Sequence, residues 1–221
     1  MAKLQNVTRA HLGLLLANLV WAVNYPFYKV LMPHYITPVA LATFAVTVAG
    51  LLGLVSLFWG GIEKIDRNDI YKFIGAALLM GIAKKLLLMI GMQHTSPIEA
   101  SIIATLGPIL VLVFSFFFGI DRFTPMKVFG MVLGMGGALL VILSGGGAVT
   151  SGEKLMGNLF VVGAIAASSF SMVWLKGLIM KYRPITVLRV YYPMAAVMLL
   201  PFGFDSMIHT DFAAMPAEAL W

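Results

Sequence analysis

The chain has 221 residues, 61% of them hydrophobic and 11% charged, and its 15 Lys and Arg outnumber nine Asp and Glu for a net charge of +6. A mean hydropathy of +0.96 and a charged share less than half the roughly 25% usual in soluble domains exclude a water-soluble globular protein. The absence of cysteine excludes disulfides and thiolate metal ligands.

A hydrocarbon core about 30 Å thick takes roughly 20 helical residues to cross, and seven apolar stretches have that length. The first, His11–Met32, carries Trp21, Asn24, Tyr25, Pro26 and Tyr28. Pro26 loosens the backbone hydrogen bonding beside polar Asn24, as in a helix that lines a cavity, although a kinked packing helix has the same signature. This stretch is interrupted by Asn18 and Asn24 and lacks a small-x-small cleavage site, so it reads as a retained helix and not a signal peptide. The second span is Thr37–Trp59 and the third Phe73–His94. The fourth, Pro97–Gly119, is interrupted at Gly107-Pro108. The fifth, Pro125–Leu143, presents Gly130, Gly134 and Gly137 as a close-approach face, and Asn158–Ile179 and Pro184–Phe204 complete the set. Proline in a first helical turn forfeits no hydrogen bond, and Thr37-Pro38, Ser96-Pro97, Thr124-Pro125 and Arg183-Pro184 each open a span. Ser96 and Glu99 have the spacing of a capping box. The predicted class is all-α, a polytopic membrane helical bundle. Long unbroken apolar runs without ten-residue alternation exclude a barrel.

Cytoplasmic loops collect Lys and Arg. An inside N-terminus puts Lys3, Arg9, Lys64, Arg67, Lys72, Arg122, Lys127, Lys176, Lys181 and Arg183 at cytoplasmic ends and leaves Lys154 in an external loop. The basic balance is therefore a topology signal and does not point to nucleic acid. The location expected is a plasma membrane of the bacterial inner-membrane type.

The remaining four cations, Lys29, Lys84, Lys85 and Arg189, sit within spans away from those cytoplasmic ends. A charge at the bilayer centre costs about 3 kcal/mol on insertion scales. Lys29 lies near the end of the first span and Arg189 about one turn into the seventh, so their alkyl stems can carry the charge towards an interface. Lys84 and Lys85 lie roughly 12–18 Å from either end of the third span, beyond such reach, and something polar has to meet them inside the bundle. Adjacent helical positions diverge by about 100°, which predicts different surroundings for the two, one of them a central cavity. At least one is expected to line a substrate path; pairing with backbone carbonyls or with Glu99 is the structural alternative. Several cations with at most one candidate carboxylate favour ligands with an anionic group, such as amino or organic acids or phosphorylated metabolites, over lipophilic cations.

The start of the chain is echoed in its last third, where Lys176 precedes Pro184 by eight positions as Lys29 precedes Pro38 by nine. This suggests one unit of five helices at residues 1–147 and the start of a second, inverted copy at 148–221. The segment Gly91–Leu143, GMQHTSPIEASIIATLGPILVLVFSFFFGIDRFTPMKVFGMVLGMGGALLVIL, together with Trp21-x-x-Asn24, resembles the EamA-like branch of the drug/metabolite transporter superfamily. Asp121-Arg122 and Thr124-Pro125 stand where that branch has Glu-Arg and a Ser/Thr-Pro-like turn. The resemblance implies ten helices in two inverted five-helix repeats that move small metabolites, often outward. On that pattern roughly three helices are missing after Trp221. It also implies a first-half cavity containing Asn24, Lys84 or Lys85, and residues near Thr105 and Pro108. An arginine expected in the second helix after Pro38 is not evident.

The candidate substrate-binding residues are Asn24, Tyr25, Lys84, Lys85, Thr105 and Pro108, with Lys29, Glu99 and Arg189 as secondary candidates. No metal site and no cofactor is called for, and the partners expected are a small-molecule substrate and the lipid bilayer, with a homodimer left open. The leading reading is a secondary carrier, of exporter type. A non-transporting membrane subunit is the main alternative. A lipid-modifying enzyme is the weaker one, because His11, His34, His94 and His209 form no i, i+4 pair or His-Glu motif.

Overall fold

A computed structural model describes residues 2–32, 34–122, 124–144 and 152–211; these residues are mostly helical, with no strand among them. The expected boundary at 147/148 lies outside the described residues. Helix α1 covers Ala2–Leu31 and α2 covers Pro38–Val55. The third span comprises α3 (Ile70–Ala76), a π-helical stretch at Ala77–Ala83 and α4 (Lys84–His94). The fourth is split into α5 (Pro97–Ala104) and α6 (Gly107–Phe117). Helices α7 (Pro125–Ser144), α8 (Gly152–Trp174), α9 (Lys176–Lys181) and α10 (Pro184–Ile208) follow.

Among the described residues six helical segments are long and apolar enough to cross a membrane: His11–Leu31, Pro38–Trp59, Arg67–His94, Pro97–Phe117, Gly152–Trp174 and Pro184–Ile208. The chain is a polytopic all-α membrane bundle. The expected fifth span forms α7, whose 20 residues give a helix about 30 Å long.

Local chemistry sets the helix starts. Thr37 Oγ1 accepts the Ala40 N–H at 3.2 Å with Pro38 in the first turn, and Ser96 Oγ accepts the Glu99 N–H at 3.2 Å with Pro97 in the first turn. Ser96 thus makes the N-cap half of the expected capping box, while the Glu99 carboxylate meets Thr95 and Lys154. The break in the fourth span comes one turn before Pro108. There Thr105 and Leu106 donate to Ile102 and Ile103, each at 3.0 Å and three residues back, because Pro108 has no N–H for the Ala104 carbonyl. Ser169 of α8 donates to Gly107 O at 3.2 Å and holds the break. After α6 the chain turns through Gly119 at φ 65°, a left-handed position open to glycine without a Cβ clash.

Helix α2 packs most extensively along α10, and α4 along α8. Both seams depend on small residues, as expected where apolar lipid gives helices little hydrophobic reason to associate. A Cβ on Gly91 would come within 2.8 Å of Gly157 O, and one on Gly50 within 3.2 Å of Tyr192 O. The glycine face expected on the fifth span is not a seam of this kind. A Cβ at Gly130 or Gly137 would meet nothing within 4 Å, and at Gly134 only the Ile109 side chain. Helix α7 lies at the edge of the bundle, with Met126, Phe129 and Leu133 exposed.

Candidate functional site

The π-helical turn at Ala77–Ala83 determines how the third span presents its lysines. A wider turn lowers the angular step between successive residues and shifts the register of everything beyond it. Lys84 and Lys85, the first residues after this turn, both line one cavity of about 330 Å³. The expected divergence of the two ammonium groups is corrected: Lys84 and Lys85 line the same space, which their long flexible stems both reach.

The facing wall is α1, where Trp21, Asn24 and Tyr28 recur at helical spacing on one side. Lys84 Nζ sits 5.0 Å from the centroid of the Trp21 ring, and Lys85 Nζ donates to Tyr28 Oη at 3.0 Å. Each ammonium thus rests on an aromatic ring or phenol, which offsets part of the cost of burial. Ala45, Val46 and Ala49 of α2 form an apolar floor, and Tyr192 of α10 closes the remaining side. Asn24 keeps an internal bond, its Nδ2 donating to Val20 O at 3.1 Å.

Among the described residues no carboxylate comes within ion-pair distance of Lys84 or Lys85. The nine acids of the chain account for this. Glu63, Asp66 and Asp69 precede α3, Asp121 follows α6, and Glu99 and Glu153 stand in the first turns of α5 and α8; Asp205, Asp211 and Glu218 come at or after the last turn of α10. Among the described residues none is placed at mid-span.

The other candidate residues are placed elsewhere. Tyr25 is buried in the core with Met32, Leu41 and Met89, behind the cavity wall. Thr105 and Pro108 are exposed at the break in the fourth span. Lys29 donates to Met92 O and Gln93 O at 3.3 and 3.0 Å, capping the last carbonyls of α4. Arg189 does the same beyond α2: Nε reaches Ser56 Oγ at 2.8 Å, Nη2 reaches Ser56 O at 2.6 Å, and Nη1 bonds the Gly60 and Gly61 carbonyls. Trp21 and Tyr28, noted in the first helix but not among the candidates, also line the cavity, and so does Tyr192. The only signal for it was a tyrosine pair directly before Pro193, inside an apolar span.

Two charged clusters tie the ends of the bundle together. At one, Lys181 forms ion pairs with Asp66 and, at 2.6 Å, with Asp69, while Tyr182 Oη donates to Asp69 Oδ2 at 2.9 Å. These acids hold the Lys181 ammonium above the usual lysine range, Asp66 more than Asp69. The Arg183 N–H donates to Glu63 Oε2 at 2.8 Å and draws that carboxyl below its ordinary range. At the other end Lys154 pairs with Glu99. The expected loop position of Lys154 is corrected, since α8 starts at Gly152 and places it inside the helix. Thr95 Oγ1 lies 3.0 Å from Glu99 Oε2 and also contacts the buried Asn158 amide, whose Nδ2 has no partner. A single hydroxyl proton serves one acceptor at a time. With the Asn158 amide turned so that its N–H meets Thr95 Oγ1, the hydroxyl is free to donate to Glu99.

The model of the EamA-like transporter family matches residues 8–143, which include both lysines and the α1 wall. The chain belongs to the EamA-like transporter family. An uncharacterized transporter of Archaeoglobus fulgidus is 25% identical over 174 residues, covering 79% of this chain and 60% of that one. The uncharacterized transporters YvbV and YoaV of Bacillus subtilis are each 26% identical, over 91% and 97% of this chain and 65% and 73% of their own lengths. The chain thus spans less than two thirds of the first two of these relatives. No solved structure gives a significant match.

Proposed function

We propose that this EamA-like protein is a secondary carrier that moves small polar metabolites bearing an anionic group, amino or organic acids among them, outward across a bacterial-type inner membrane. The observation that carries the reading is that Lys84 and Lys85 converge on one mid-span cavity with no acidic partner among the described residues. Two unpaired ammonium groups in a low-dielectric interior are costly, and an anionic ligand removes that cost. The volume of about 330 Å³ suits a small metabolite, at the lower end of the roughly 300–1,000 Å³ of ligand sites.

The carrier works by rocking a first repeat, residues 1–147, against a second that begins at 148, with the N-terminus in the cytoplasm. Support comes from the seams: α2 against α10 and α4 against α8 pair elements of the two units, and both charged clusters bridge them. The test is export and counterflow in proteoliposomes, screened over amino and organic acids. Lys84→Ala and Lys85→Ala are expected to cut transport at least tenfold while leaving the proteins inserted and monodisperse. Unchanged transport in both single variants and in the double variant would refute the cationic cavity.

A further inference from the structure

The charge balance of this cavity discriminates among anions. We propose that Lys84 and Lys85 act together on a doubly charged ligand, so that the site prefers dianions to monoanions and zwitterions of the same size. This inference rests on the anionic-substrate reading above.

The two ammonium groups share a cavity, and every carboxylate among the described residues lies at or beyond the end of a span. A monoanion leaves one positive charge uncompensated in the bundle. A zwitterion leaves both, because its own ammonium brings in as much positive charge as its carboxylate removes. A dianion brings the site to neutrality. The cavity offers a ligand ammonium little in return. The Trp21 ring already carries Lys84 at 5.0 Å, and Tyr28 already holds Lys85, 5.0 Å from its ring centroid and bonded to its phenol oxygen. Tyr192 is stacked on Tyr191 with ring centroids 4.3 Å apart. Asn24, with its N–H engaged by Val20, is a neutral polar group and tolerates either sign.

The experiment is isothermal titration of the full chain in lipid nanodiscs at pH 7.5 with four probes of similar size. Succinate carries its two charges on separate groups and propyl phosphate carries them on one; butyrate is a monoanion and γ-aminobutyrate a zwitterion. At least one dianion is expected to bind roughly tenfold or more tighter than butyrate, with γ-aminobutyrate weakest, the extra compensated charge outweighing the dianion's larger desolvation. Which dianion binds tighter tells whether one group bridges the lysines or two groups meet them separately. Lys84→Gln and Lys85→Gln should each bring the dianions down to the level of butyrate. Lys84→Arg, which keeps the charge, should preserve the order and serves if a Gln variant does not fold. Butyrate or γ-aminobutyrate binding as tightly as both dianions, with affinity still dependent on the lysines, overturns this inference and leaves the anion carrier standing. Absence of any lysine-dependent anion binding sinks both.

Discussion

Lys154 Nζ lies 2.7 Å from Glu99 Oε1, joining the first turn of α8 to the first turn of α5 across 55 residues of chain. The Glu99 side chain is 9% exposed and that of Lys154 is 26% exposed, so the two partners do not lose equally when the pair is broken. A lysine at the end of a span can turn its ammonium towards water, whereas the carboxylate is enclosed by Thr95 and the start of α5.

Lys154→Met should therefore destabilise the protein by about 3 kcal/mol, the low end for a buried charge left without its partner. Glu99→Gln, which leaves the mobile partner, should cost about 1 kcal/mol, close to a lost exposed pair plus one hydrogen bond. Thermal unfolding of the single and double variants in detergent measures both values, and equal shifts would show that the carboxylate is not the trapped partner.

The seam between α4 and α8 predicts a size limit. A Cβ on Gly91 would sit 2.8 Å from Gly157 O and 3.0 Å from Val161 N, backbone atoms that cannot rotate aside, so Gly91→Ala should lower stability by about 1–3 kcal/mol. Gly137→Ala, with open space around it, should be neutral or stabilising by up to about 1 kcal/mol through helix propensity. Melting temperatures of the two variants check the contrast, which would be reversed if α7 carried the close-packed glycine face.

Charge and hydrogen bonding at Lys85 separate in Tyr28→Phe. That variant removes the acceptor at 3.0 Å and keeps the ammonium in the cavity, so stability should fall by about 1–2 kcal/mol. Anion transport should stay within a few-fold of the parent, unlike Lys85→Gln. A transport loss in Tyr28→Phe as large as in Lys85→Gln would mean that the phenol, and not the charge, meets the substrate.

Acid should loosen the cluster around Glu63. Its carboxyl is held below its ordinary value of 4.5, first by the Arg183 N–H, so the folded state favours the ionised form. The contribution is complete above the unfolded value and is lost as pH falls through the lower folded one. Stability should drop below about pH 4.5, and Glu63→Gln should flatten that part of the pH profile. A parallel drop in the variant would assign the acid sensitivity to other carboxylates, such as Asp121, which Lys127 also holds low.

The path from residues to site can be followed position by position. Pro38, Pro97 and Pro184 each stand in the first turn of a helix, as their chemistry requires, because a first-turn proline is a local property. The mid-span isolation of Lys84 and Lys85 was equally legible, since it depends only on counting residues to the span ends. Their shared cavity was not, because only the packing of α1, α2 and α10 around the third span decides which space the two long stems reach. The roles of Lys29 and Arg189 were half legible: both were expected near span ends, but the carbonyls they cap belong to helices far along the chain.

Sequence alone determined the membrane class, the order of the helices and the excess of mid-span cations over mid-span acids. All of these follow from hydropathy, spacing and charge counted along one dimension. Tertiary structure alone decided which charges meet. It brought Lys154 to Glu99 and Lys181 to Asp66 and Asp69, set Trp21 and Tyr28 beneath the two lysines, and kept Thr105 and Pro108 away from the cavity. Pairing between distant helices depends on how small residues such as Gly50, Gly91 and Gly157 let backbones approach, and that is a property of surfaces in contact rather than of any single span.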